Sequence, residues 1–171
     1  MSVKKAMQTY ARQGGTSALF VHDDGLQVID EKEREERIKF YADHGIGWVA
    51  RPGPKDGFKR RGRFKKASNM NYGLALSLKM ERIVQQLEIE QYGEKYPLSD
   101  TSSVANDGLE DIEEQALRMA IEETYEESGR RFQPWARNAK ALRIGEFILI
   151  VDSDTIVPEV ISMSFLATLS S

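Results

Sequence analysis

Five consecutive apolar residues, Phe147 to Val151, run without a break into Asp152-Ser153-Asp154-Thr155. Three of the five are β-branched. A short unbroken run of this kind reads as a strand buried on both faces, the form strands take in a parallel sheet covered by helices. It commits the chain to an α/β architecture with a mostly parallel sheet flanked by helices. Two carboxylates then fall where the strand should end, and open α/β sheets bind ligands at the carboxyl ends of their strands. Asp152 and Asp154, at i and i+2, share one face of a strand and offer hard oxygen ligands to a divalent cation. Mg2+ or Mn2+ would keep waters and take phosphate oxygens as its other ligands, and its charge would stabilise a departing diphosphate. The pattern points to a domain that handles a nucleotide or a phosphorylated substrate.

The rest of the chain fits that class. Lys4 to Arg12 is a short helix ended by Gly14-Gly15. Ala18 to Val21 is a strand that ends in His22-Asp23-Asp24-Gly25, again carboxylates followed by a turn glycine. Adjacent carboxylates cannot both face one small ligand, so one would accept hydrogen bonds from a base or ribose and the other would cap the turn. Asp30 N-caps a charged helix over Glu31 to Asp43, closed by Gly45, and Ile46 to Ala50 is a second strand. Strand, helix and strand in that order form one right-handed, parallel crossover. Ala67 to Gln91 is a long helix whose Leu76, Met80, Ile83, Val84 and Leu87 line one face. Leu109 to Ser128 is another, with its glutamates opposite the apolar stripe and read as solvated. Arg130 to Ile144 is irregular, anchored by Trp135, and Val160 to Ser171 is an apolar stretch without a period, read as an aberrant tail. The whole, residues 1–171, is one domain of about the usual size, with loop insertions near 51–66 and 93–108.

Charge is segregated. Residues 51–66 carry eight bases and one acid, while residues 107–127 carry nine acids and one base. The basic segment ends at Lys65-Lys66, just before a helix start, where free backbone N–H groups and a lysine favour a phosphate. Asn69 and Asn71 add neutral hydrogen-bonding groups to its first turn. No cysteine is present, which excludes disulfides and zinc–thiolate sites, and no apolar run approaches the length of a membrane span. His22 and His44 have no Ser or Cys partner at a recognisable spacing, so a nucleophile–histidine triad has no support.

Three pieces in order, Phe20-Val21-His22-Asp23-Asp24-Gly25, Lys66-Ala67-Ser68-Asn69-Met70-Asn71 and Ile150-Val151-Asp152-Ser153-Asp154, resemble family 2 glycosyltransferases of the GT-A fold. That group includes cellulose, chitin and hyaluronan synthases, and the nearest likeness is to fungal members. The resemblance covers about residues 14–159 and implies part of a GT-A, Rossmann-like nucleotide-binding half. It implies that Asp24, or its neighbour Asp23, meets the uracil or ribose of a nucleotide sugar, with a UDP-sugar as the implied donor. It implies that Lys66, with Asn71 completing its motif, sits near the diphosphate, and that Asp152 and Asp154 bind the cation and the donor. The implied reaction moves a sugar from this donor to a carbohydrate or other acceptor hydroxyl. The family's opening strand, its acceptor-binding half with the catalytic base, and the membrane helices of its synthases have no counterpart here. The expectation is therefore an incomplete fragment, inactive alone, from the cytoplasmic side of a membrane protein, with its catalytic residue unassigned.

Two other readings share some of these features. Haloacid dehalogenase-like phosphotransferases also place Asp-x-Asp after an apolar strand, but want Thr or Val where Ile156 stands. A basic loop could instead bind RNA or acidic lipid. Stacking on bases would need aromatics among the basic residues, and only Phe58 and Phe64 are available, so no nucleic-acid partner is expected.

Overall fold

The computed structural model describes residues 2–53, 57–60, 66–93, 111–152 and 154–158. They fall into two units, residues 18–144 and the two terminal stretches, 1–17 with 145–171.

In the larger unit, β1 (Phe20–His22) leads through a 3-10 turn (Asp24–Gln27) into α2 (Glu31–Asp43) and then β2 (Gly47–Ala50). Asp30 caps α2 by accepting from the Glu33 N–H at 2.9 Å, as its sequence position predicts. Gly45 turns the chain into β2 with φ of +64°, a left-handed conformation that costs glycine little. Strands β1 and β2 are parallel, with Val21 opposite Trp48. After the long α3 (Lys66–Tyr92) come α4 (Ile112–Glu127), β3 (Trp135–Arg137) and α5 (Ala139–Leu142).

The sheet departs from the sequence expectation. Its order is β1-β2-β3, and β3 runs antiparallel to β2, with Ala136 opposite Val49. The sheet is therefore small and mixed, not mostly parallel. A strand of three residues offers too little alternation to be seen by periodicity, so residues 130–144 read as irregular. Ala136 faces inward, while the Trp135 side chain is partly exposed and takes the Arg34 guanidinium over its ring at 5.6 Å.

Central β2 is the strand that is buried on both faces. Val49 points into a core built from Leu76, Met80, Ile83 and Val84 of α3, Ala116, Leu117 and Ala120 of α4, and Ala139 and Leu142 of α5. Trp48 and Ala50 point the other way, against Leu26, Tyr41 and Ile46. This alternation gives a two-layered core around one strand. The alanines of α4 let it lie close along α3, and their flanks are bridged by Lys79 with Glu127 at 2.5 Å and by Arg82 with Glu123. Part of the acidic face of α4 is thus paired, not simply solvated.

In the second unit, α1 (Ser2–Arg12) buries Ala6, and the Val157 N–H donates to Ser2 Oγ at 3.1 Å. Residues 147–151 form no strand, and their side chains are 39–61 % exposed. An apolar run records hydrophobicity but not a ladder partner, and none pairs with it among the described residues. The expected loop over 93–108 and the tail at 160–171 lie almost wholly outside the described residues.

Candidate functional site

The carboxyl ends of β1 and β2 meet the first turn of α3. The Asp23 N–H extends the parallel ladder by donating to the Val49 carbonyl at 2.9 Å. Its carboxylate then turns back to accept from the Gly25 N–H at 2.9 Å, from the Tyr41 hydroxyl at 2.7 Å and from Arg37 at 3.2 Å. Asp23 is therefore the turn cap and the tie between β1 and α2. Burial, reinforced by this carboxylate, raises the pKa of the Tyr41 hydroxyl. The phenol stays protonated as a donor.

Asp24 points the other way. Arg51, the residue after β2, is 2 % exposed. It donates to Asp24 from its backbone N–H at 3.1 Å and from Nε and Nη2 to Oδ2 at 3.0 and 2.5 Å. Its Nη1 donates to Ser68 Oγ at 3.0 Å, in the opening turn of α3. One buried arginine thus ties both strand ends to the helix start. Arg60 stands 3.5 Å from the same Asp24 oxygen. A fork matched to a carboxylate through two N–H groups is the strong form of this contact.

Asn69 reaches from α3 to the His22 carbonyl at 3.4 Å. The His22 ring stacks on Phe20 with centroids 4.5 Å apart and sits against Gly73. Burial, the largest influence, lowers its pKa, so the imidazole is neutral at neutral pH. A Cβ at Gly73 would collide with this ring and approach Val49 Cγ1 at 3.1 Å. Overpacking costs about 1–3 kcal/mol, against roughly 1 kcal/mol gained by removing a glycine from a helix. Gly73→Ala is expected to lower the urea midpoint and shift the His22 ring resonances. An unchanged midpoint with unshifted resonances would show that no such crowding exists.

Of the residues singled out by sequence, Asp23 and Asp24 stand at the end of β1, and Lys66 opens α3 with its side chain exposed. Asn71 is exposed on α3, and its neighbour Asn69 makes the contact to β1. Asp152 and Asp154 belong to the other unit, both exposed, in a turn where the Thr155 N–H donates to the Asp152 carbonyl at 2.9 Å. Both are hard oxygen donors of the kind Mg2+ and Mn2+ take, and among the described residues no group of three or more His, Asp or Glu side chains gathers as a metal cage. Sequence reasoning counted Arg51 only as one base among eight. The available signal was a lone cation directly after an apolar strand, level with an acid at the neighbouring strand's end.

No described helix is long and apolar enough to cross a membrane. Compared with protein-family models, with curated proteins and with solved structures, the chain matches none.

Proposed function

We propose that the chain is the donor-binding part of a family 2 glycosyltransferase-like domain, which holds a nucleotide sugar, preferably a UDP-sugar, with a divalent cation. The observation that carries this reading is the convergence of Asp24, Arg51 and Ser68 at the carboxyl ends of a parallel strand pair, beside the start of a 27-residue helix. That is where α/β folds receive nucleotides. Both acids already accept from protein donors, and Asp24, which faces Arg51 and the opening turn of α3, is the one assigned to the base or ribose. Lys66 and the first turn of α3 lie on the side of the diphosphate. Asp152 and Asp154 would hold the cation, which when bound offsets the charge of the leaving diphosphate. The acceptor is a hydroxyl of a carbohydrate or similar molecule, and no residue is assigned as the general base.

Phe58, the one aromatic of the basic loop among the described residues, is turned inward. Its ring packs edge-on against Tyr72 and Phe132 and is not presented for stacking on bases.

Titration of UDP-glucose and UDP-N-acetylglucosamine with and without Mn2+, followed by thermal shift, tests the proposal. The expected result is stabilisation by at least one nucleotide sugar that needs the metal and is lost in Asp152→Ala, with the fold of that variant unchanged. Metal-independent binding, or full binding by Asp152→Ala, would remove the role given to the Asp-x-Asp pair. No stabilisation by any uridine nucleotide would end the reading.

A further inference from the structure

Two guanidinium groups crowd one carboxylate at the ends of β1 and β2. Arg51 already engages Asp24 through its fork at 2.5 and 3.0 Å. Arg60 adds Nη1 at 3.5 Å from the same oxygen and Nη2 at 3.5 Å from the Pro52 carbonyl, both at the outer limit of a hydrogen bond. Its Nε is buried without a partner among the described residues. The side chain is only 16 % exposed. A group with five N–H donors is thus largely withdrawn from water and given two marginal acceptors. Among the described residues two guanidinium groups share this one carboxylate, and a largely desolvated guanidinium with only long contacts is costly.

Phe58 explains how the arginine is held there. Its ring meets Tyr72 of α3 at 5.8 Å and Phe132 at 5.3 Å, both at 77°. This edge-to-face packing pins residues 57–60 beside α3. Two more buried polar atoms near the ion pair, the Tyr72 hydroxyl and Asn69 Oδ1, also lack partners among the described residues.

We propose that Arg60 is an anion-binding residue that receives a phosphate group of the ligand, an inference that rests on the donor-binding reading above and adds a residue to it. The planar guanidinium matches two phosphate oxygens at once. On binding, Arg60 exchanges two 3.5 Å contacts for charge-assisted hydrogen bonds to the phosphate. The move also relieves Asp24 of its second cation and leaves Oδ2 more open to the nucleoside.

Calorimetry on the whole chain with UDP, uridine and inorganic pyrophosphate tests this, comparing wild type with Arg60→Gln and Arg60→Lys. Wild type should bind UDP more tightly than uridine. Arg60→Gln should weaken UDP about tenfold and leave uridine unchanged, the loss expected for one charged hydrogen-bonding contact. Arg60→Lys, which keeps the charge without the fork, should fall between. The urea midpoint of each variant distinguishes lost binding from lost fold. Undiminished UDP binding by a folded Arg60→Gln overturns the assignment and leaves the donor-binding reading standing. Pyrophosphate binding that depends on Arg60, with no contribution from uridine, supports the anion site and removes the nucleotide reading. Binding of none of the three probes by wild type overturns both.

Discussion

Arg51→Ala is expected to be among the most destabilising single substitutions in the chain, costing about 3–5 kcal/mol, the range for removing one partner of a buried ion pair. The arginine is 2 % exposed, and Asp24, whose side chain is 16 % exposed, accepts from both its backbone and its guanidinium. Among the described residues, deletion leaves Asp24 with the distant Arg60 as its one cation and strips Ser68 of the Arg51 donor. Three structural elements lose a common tie at once. A surface pair of the same chemistry contributes about 0–1 kcal/mol, so burial is what separates the two predictions. The ion pair of Arg130 with Glu126, both more than half exposed, is the internal control. Urea unfolding of Arg51→Ala, Arg130→Ala, Asp24→Ala and the Asp24/Arg51 double variant measures the difference. A non-additive cycle is expected, with the double variant less damaged than the sum of the singles, because either single already breaks the shared tie and the double does not leave Asp24 charged without Arg51. A loss below 1 kcal/mol for Arg51→Ala would show that Asp24 is adequately solvated without its partner, and the tie described here would fall.

The helices were legible because they carry their own local signals. Asp30 accepts from Glu33 as an N-cap should, and the α3 stripe of Leu76, Met80, Ile83 and Val84 is the buried one. The parallel relation of β1 to β2 followed from a strand–helix–strand order that leaves few alternatives. Strand partnership was less legible. The run Phe147 to Val151 is more apolar than Gly47-Trp48-Val49-Ala50, yet the latter is sandwiched between two cores and the former is half exposed. Burial on both faces depends on what lies above, below and beside a strand, and a run of residue types records none of these. The antiparallel β3 was hidden for the related reason that its single inward residue, Ala136, cannot show a period. At the candidate site, the acids were visible because two carboxylates beside a turn glycine are unusual after an apolar run. The arginines were not, since a basic segment gives no hint of which member folds inward.

Leu26→Ala carries the second large effect, about 2–5 kcal/mol, the range for removing a fully buried leucine. Leu26 has no exposed surface and fills the space between the 3-10 turn and the layer formed by Tyr41, Ile46, Trp48 and Ala50. Its position links stability to the site. The turn that buries it, Asp24–Gln27, begins with the acid assigned to the ligand and is capped by the acid that ties β1 to α2. The Leu26 carbonyl also accepts from Arg34 Nε at 2.8 Å, so the backbone on either side is held from outside. These anchors limit collapse around the missing side chain, which keeps the cavity open and places the cost toward the upper part of that range. The loss should therefore be local as well as global. In Leu26→Ala, hydrogen exchange should quicken at the Leu26 and Val28 amides, which bond to the Asp23 and Gly25 carbonyls, by more than the change in global stability requires. Leu26→Met, of similar volume, should cost less than about 1.5 kcal/mol and leave those amides protected. Equal losses in the two variants would mean that shape rather than volume is read at this position. Unchanged exchange at the turn in Leu26→Ala would show that the capped loop holds Asp23 and Asp24 in place without the core beneath it.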